Sequence, residues 1–517
     1  MVRLKVQNHR ITEIETQISR DALGASRYEK MGHPEDVWLE PVPPAQRISR
    51  AALVTQANKY YGGMERNDPK GDYSFFDKDC NRLEHALQTT NVKTGEAYGH
   101  SNDTDFASLT CEAQFQTGFL GFVTKIRERR YLVDEERQVV FAVTTFDHNG
   151  TVRTLPSVNG KSSPIPAYFD VPRSLHASEA FRLRGDKLYR IEMTLTEVPY
   201  GMSSPFHEGS PVNLAGAGTR RTVPKACNRT CLDGVMTQVL EAMMAHDASR
   251  LPLAKGVRYS ENGQFLALDD GLWGTTGKIA MPGGGYSAFL ADPSTGSAAY
   301  WGLTDEHGTP GVLALRIKVV DGKISEMEAI DVREESQGPR GGTMTLMRPP
   351  LPVELKIASL GALDPVFQSR GILGMRNPET VIADYFDGLE RHNSAGVSFR
   401  PDCMRRDNAV QVSLSCAEQV DGKGVAPNGL YIHTSVVRER RILITDAERA
   451  VVLAVAMIDN PGIGGANIGA TGIPAPQLVP STYMVPQLIK IDSGLVSRVE
   501  AMEKWMPYGY ASAWAGR

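Results

Sequence analysis

The chain contains no run of eighteen or more apolar residues, so nothing in it reads as a membrane-spanning helix. It has no excess of either charge: 56 Lys and Arg face 60 Asp and Glu, a formal net charge of −4. With a pI near 6.3, that balance makes no electrostatic case for nucleic acid or an anionic membrane as partner. Histidines are scattered singly, with no His/Cys group at zinc spacing, and no metal site is expected. No Gly-x-Gly-x-x-Gly follows a strand-like run. The glycine-rich stretch 281–285 lacks the lysine and the strand–helix frame of a phosphate loop, so no cofactor is expected either. The opening MVRLKVQNHR alternates apolar and polar residues and lacks the apolar centre of a signal peptide, which reads as cytoplasmic. Were the N-terminus truncated, a secreted or periplasmic location would stay open.

What is present is ordinary soluble composition, 41% hydrophobic and 22% charged, over 517 residues, a length that suits about three to four domains. The dominant feature is repetition. RERRYLVDEERQVVFA (127–142) returns as RERRILITDAERAVVLA (438–454) with one residue inserted. Tyr60-Tyr61-Gly62-Gly63-Met64-Glu65-Arg66 is answered by Tyr385-Phe386-Asp387-Gly388-Leu389-Glu390-Arg391, and Asp79-Cys80-Asn81-Arg82 by Asp402-Cys403-Met404-Arg405. A shorter third copy lies between, where Arg258-Tyr259-Ser260-Glu261-Asn262 falls in the place of the strands at Arg82 and Arg405. The end of this copy, 315–328, has a twin in residues 2–15, so the first twenty-odd residues look like the last two strands of a module. Four regions result: 1–23 as orphan strands, 45–206 a large module, 227–336 a small module and 376–517 a second large module. Unpaired strands at 2–20 should pair with another module or a partner chain.

Six cysteines form two repeat-related sets, Cys80 with Cys111 and Cys403 with Cys416, plus Cys227 and Cys231 at a helix start. The two sets suit equivalent bridges or equivalent buried contacts. Spacing of four is awkward for a bridge inside a helix, unless Cys227 precedes the helix.

Apolar residues at helical spacing predict helices over 50–65, 235–247 and 380–391, with Ser49 as an N-cap. Strands are expected over 82–89 and 405–413, then hairpins at 129–146 and at the Gly185-Asp186 turn. Each module thus reads as a helix followed by five or six hairpin-linked strands. This is an α+β class, in which helices wrap a curved antiparallel sheet.

The lines Tyr385–Asn393, Ala242–Pro252, Arg258–Gly263 and Asp321–Ile324 resemble the nuclear-transport-factor-two-like, or SnoaL-like, superfamily. Cys227–Val235 is similar to an uncharacterised fungal and bacterial branch of it. The resemblance implies tandem cystatin-like cone modules, each with an apolar pocket. Such pockets shift side-chain pKa values by desolvation and can run proton transfer on a small organic molecule without a cofactor. Members include isomerases, dehydratases, cyclases, lyases and binding proteins without catalysis.

The richest candidates lie in the first large module. Tyr60 and Tyr61 sit on the helix that would cover the pocket; Arg82, Glu84, His85 and Gln88 follow on the next strand. Period-two alternation puts Arg82 and Glu84 inward with Leu83 and His85 outward, or the reverse. His85 becomes Asn262 and Asn408 in the other copies, as a base kept in a single active copy would, and a surface histidine is the plainer alternative. Asp147-His148 is either a base or a turn. Arg127, Arg129 and Arg130, matched by Arg438, Arg440 and Arg441, form either an anion clamp or inter-module salt bridges. Arg127, Arg130, Gln88, Asn262, Arg405 and Asn408 are the substrate-binding candidates. Glu15, Glu192, Glu328 and Glu500 recur in every copy and suit a structural partner for Arg82 and Arg405.

The expected function is a cofactor-independent lyase, dehydratase or isomerase acting on a small aromatic, polyketide-like or steroid-like molecule. The competing expectation is a non-catalytic small-molecule-binding or assembly protein. A homodimer through sheet packing fits either.

Overall fold

The computed structural model describes residues 1–19, 22–93, 104–156, 162–206, 227–281, 285–334, 355–411, 415–421, 435–462 and 480–515. These fall into two compact units, the first ending at residue 206 and the second starting at residue 227.

The first unit opens with a two-stranded hairpin, β1 (Val2–Gln7) and β2 (Arg10–Thr16), then helix α1 (Ala22–Met31). The first large module follows: α2 (Arg50–Arg66), β3 (Phe76–Glu84), β4 (Leu87–Gln88), α3 (Thr104–Ala107), α4 (Cys111–Gln116), β5 (Lys125–Asp134) and β6 (Val139–His148). After the small hairpin β7 (Thr154–Pro156) and β8 (Ser162–Pro164) come β9 (Arg173–Arg184) and β10 (Lys187–Val198). The sheet order is β4-β3-β10-β9-β6-β5.

The second unit begins with the small module. It comprises α5 (Arg229–Met244), β11 (Leu253–Glu261), β12 (Gln264–Leu266), α6 (Leu272–Thr275), β13 (Thr276–Ile279), β14 (Ser287–Asp292), β15 (Ser297–Glu306), β16 (Thr309–Val320) and β17 (Lys323–Arg333). The second large module is α7 (Pro378–Arg391), β18 (Phe399–Asp407), β19 (Val410–Gln411), α8 (Cys416–Val420), β20 (Val436–Asp446), β21 (Val451–Asn460), β22 (Ser481–Asp492), β23 (Leu495–Ala501) and β24 (Lys504–Met506). The sheet orders, β12-β11-β17-β16-β15-β13 and β19-β18-β23-β22-β21-β20, repeat that of the first unit. The chain is therefore a mixed, strand-rich protein of tandem repeated sheet modules.

In one respect the wholly antiparallel expectation is corrected. In every module the strand after the long helix pairs parallel with the last long strand: β3 with β10, β11 with β17, β18 with β23. The chain crosses to the far edge after that strand and returns by antiparallel hairpins, so its last strand runs the same way as the first. The strands themselves also begin earlier than the alternation suggested. β3 starts at Phe76, in a run of Asp77-Lys78-Asp79 that carries no period-two signal.

Local chemistry fixes the helices. Ser49 caps α2 by accepting from the Ala52 amide, and Asn67 ends it in the left-handed region. Leu53, Ala57, Tyr60, Tyr61 and Met64 recur every three or four residues and all lie in the core of the first module. α7 repeats this with Asn377 as cap and Val381, Ile382, Tyr385, Phe386 and Leu389 buried. Each large module is pinned by an equivalent disulfide from its first strand to a short helix, Cys80–Cys111 and Cys403–Cys416. Cys227–Cys231 also bridges, and not within the helix. Cys227 precedes the helix, whose N-cap is Asn228, so the bridge spans the cap and not a helical turn.

Candidate functional site

Strand β9 places Glu179 in the interior of the first large module, opposite Ala142 of β6 and Met193 of β10. The side chain is fully buried. Neither carboxyl oxygen, nor the hydroxyl of Tyr60 or Tyr61, completes a hydrogen bond of ordinary geometry among the described residues. Burial pushes the Glu179 carboxyl up to about 7, against the opposing pull of the Arg82 guanidinium and the two facing phenols. An isolated buried carboxylate is costly, and protonation is how such a group escapes that cost. Desolvation likewise holds both phenols well above their usual range, with Glu179 adding to the effect, so they stay neutral donors.

Arg82 forms the outer wall. Its Nη1 donates to Gln114 Oε1 at 2.9 Å and its Nη2 to Glu84 Oε1 at 2.8 Å. Gln114 is anchored in turn, its Nε2 donating to the Phe106 carbonyl at 2.9 Å. Glu84 retains 28% of its side-chain exposure and so links the buried group to solvent. Tyr60 also packs within 5.4 Å, centroid to centroid, of Tyr61, Phe115 and Phe181, so aromatic rings surround the polar atoms.

The second large module carries the same framework without the acid. Gln487 pairs with Ala454 as Glu179 pairs with Ala142, and Phe386 stands where Tyr61 does. Here the Gln487 oxygen is matched, while its Nε2 completes no hydrogen bond among the described residues. Gln487 Oε1 accepts from Tyr385 Oη at 2.8 Å and from Arg405 Nη1 at 2.9 Å, while Arg405 pairs with buried Asp407. In the small module the matching position is Leu315, opposite Ala329. The series Glu, Gln, Leu leaves a titratable side chain at this strand position in the first large module alone.

Of the predicted residues, the structure thus brings Tyr60, Tyr61, Arg82 and Glu84 together. His85 is elsewhere. It lies in the β3–β4 turn at φ 48°, and its Nε2 accepts the Leu195 amide at 3.1 Å. Asn262 and Asn408 hold the same left-handed turn and accept the amides of Asp331 and Glu503, each at 2.9 Å. The three are equivalent because each satisfies a buried backbone donor, which corrects the view of His85 as a base and of Asn262 and Asn408 as substrate contacts. Gln88 is exposed and donates to the Thr90 carbonyl.

His148 is buried at the far end of β6, about 20 Å along the sheet from Glu179 by strand rise. Its Nδ1 meets the Phe122 carbonyl at 3.0 Å, its ring stacks on Phe122, and burial lowers it to about 4. The arginines are structural in both copies. Arg127 and Arg438 bind Asp147 and Asp459; Arg129 and Arg440 bind Glu65 and Glu390. Arg130 binds Glu15 of the N-terminal hairpin, and Arg441 binds Glu328 of the small module. The inter-module bridge, not the anion clamp, is what the geometry contains. Glu500 pairs with Arg406, not Arg405, because the two arginines point to opposite faces of β18.

Glu179 was not singled out from sequence. It lies in RSLHASEAFRLR, a strand buried on both faces, whose pattern gives no inward direction. The usable signal was alignment of the two copies through Ser174–Asp147 and Thr482–Asp459, which sets Glu179 against Gln487.

No curated protein matches the chain. Solved structures similar to part of it include a de novo designed protein with a curved β-sheet, at 13% identity over 29% of this chain and 88% of that one, TM-score 0.16. AclR, a putative hydroxylase from Streptomyces galilaeus, matches at 15% identity over 29% and 91%, TM-score 0.19. AusH from Aspergillus nidulans matches at 12% over 28% and 85%, TM-score 0.18. A family model described as a domain of unknown function, DUF8021, matches residues 46–195 and again 379–503, which are the two large modules. Those two stretches make up more than half of the chain, and the protein belongs to the DUF8021 family.

Proposed function

We propose that the first large module is a SnoaL-like cone that binds a small, largely apolar organic molecule and moves a proton on it with Glu179. The observation that carries this reading is a fully buried carboxyl, flanked by two phenols and a guanidinium, that lacks ordinary hydrogen-bond partners among the described residues. A group poised near 7 serves as acid and as base at neutral pH. As carboxylate it takes a proton from a substrate carbon. As acid it returns that proton to another carbon, completing an isomerisation, or to a departing hydroxyl that leaves as water. Tyr60 and Tyr61 donate to the substrate oxygen that gains charge, and Arg82 offsets the charge left on Glu179. Chemistry of this kind needs no cofactor. Entry past Glu84 fits its partial exposure.

Three disulfides favour an oxidising compartment over the cytoplasm. A second reading, non-catalytic binding or assembly, draws support from the rings that crowd Tyr60. The two separate on solvent-deuterium incorporation into a panel of aromatic, polyketide-like and steroid-like ketones. The enzyme reading expects incorporation by the native protein and its loss in Glu179→Gln, with binding retained. Binding of the panel without incorporation by the native protein would favour the second reading.

A further inference from the structure

The β1–β2 hairpin has one satisfied face and one bare one. On its satisfied face Arg3 donates to Glu13 at 2.9 Å and Glu15 at 2.6 Å, lies 5.0 Å from the Phe206 ring, and shares Glu15 with Arg130. In the second unit Arg316 does the same with Glu326, Glu328 and Trp514, and shares Glu328 with Arg441. Even the register shift recurs, after Lys5 and after Lys318. The hairpin is therefore seated on the first large module as β16–β17 is seated on the second.

The other face differs. Val2, Leu4, Val6, Ile11 and Ile14 are 63%, 49%, 61%, 56% and 60% exposed. Their counterparts Leu315, Ile317, Val319, Ile324 and Met327 are at most 2% exposed, inside the small-module core. A contiguous apolar stripe on a surface marks an interaction site. The hairpin forms a two-stranded sheet with no third strand on either edge among the described residues, whereas β17 carries β11 as a parallel neighbour.

We propose that this hairpin is a docking platform for a polypeptide that supplies an amphipathic helix and an adjoining parallel strand, with the pattern of residues 227–261. The helix would bring a Leu/Met/Val face such as Leu232, Met236, Val239 and Met243 to the stripe, since those residues share one core cluster with the stripe's counterparts in the small module. The strand would add to β2, by strand addition at an open edge. The register is specified by the second unit, where Arg258 pairs with Glu326 at 2.5 Å. Glu13, in the place of Glu326, would receive the corresponding arginine.

The test mixes the full-length protein with a peptide of residues 227–261. Expected are saturable one-to-one binding and amide exchange across Val2–Thr16 slowed by about tenfold or more. Binding should be lost in the Leu4→Glu/Ile14→Glu protein. Both positions face solvent, so the variant keeps its fold, which the circular dichroism of the free protein checks. The Arg258→Glu peptide should bind more weakly. Absence of binding overturns the proposal, as does binding equal in the double variant. Concentration-dependent protection of the hairpin without peptide would also overturn it, by assigning the face to a second copy.

Discussion

Glu179 and Gln487 occupy one position in two copies of the same module, and only Glu179 can hold or release a proton. Around Gln487 the oxygen is matched by Tyr385 and Arg405, whereas around Glu179 the polar atoms converge without closing a network. The difference separates an oxygen matched by two donors from a carboxyl that completes no ordinary hydrogen bond among the described residues.

Folding stability should report this acid. Its folded pKa lies near 7, above the unfolded value of 4.5. Between those values the native state holds a proton that the unfolded chain has lost, so the contribution of Glu179 is fully present below about 4.5 and falls as pH rises through 7. The loss is about 3 kcal/mol. Urea unfolding of Glu179→Gln and native protein from pH 4.5 to 7.5 should show that difference, the variant gaining on the native protein as pH rises. Parallel curves would contradict it.

His148 and His176 carry the opposite sign. Desolvation lowers fully buried His148, and half-buried His176 on β9 between Thr145 and Thr196, to about 4, so their contribution is present above the unfolded value near 6.5 and is lost as pH falls towards 4. Proton NMR of the imidazole C–H groups should show two histidines still neutral at pH 5.5. Titration of both near 6.5 would rule out the buried environments described.

His85→Asn should leave stability within about 0.5 kcal/mol and leave ligand binding unchanged, because asparagine already does this job at 262 and 408. His85→Ala should cost about 1–3 kcal/mol by orphaning the Leu195 amide. Thermal unfolding of the pair decides between a turn residue and a catalytic one. Loss of activity in the asparagine variant with normal stability would restore the catalytic view.

Reduction of the equivalent bridges should be costly. Removing Cys80–Cys111 or Cys403–Cys416, which close loops of 31 and 13 residues, should each lose about 3–4 kcal/mol, and Cys227–Cys231 about 2. Paired Cys→Ser variants in guanidinium titrations provide the check. Unchanged midpoints would mean the thiols are free in solution.

Repeats, helices and hairpins were legible because each rests on a local rule: the cap at Ser49, the apolar spacing from Leu53 to Met64, the turn at Gly185. The parallel pairing of β3 with β10 was not, since it depends on where the chain crosses over. Tyr60 and Arg82 were legible through their recurrence as Tyr385 and Arg405, and Tyr61 through its place beside Tyr60 on the helix. His85 misled because a left-handed turn residue and a strand residue look alike when the strand's start is misplaced. Glu179 stayed hidden because a strand buried on both faces has no period to read.

The most direct measurement is an infrared titration of the buried carboxyl, following the protonated C=O band in native protein against Glu179→Gln. The account predicts one band present in the native protein, missing in the variant and lost with an apparent pKa of about 7. A Glu179 already ionised at pH 5 would contradict it.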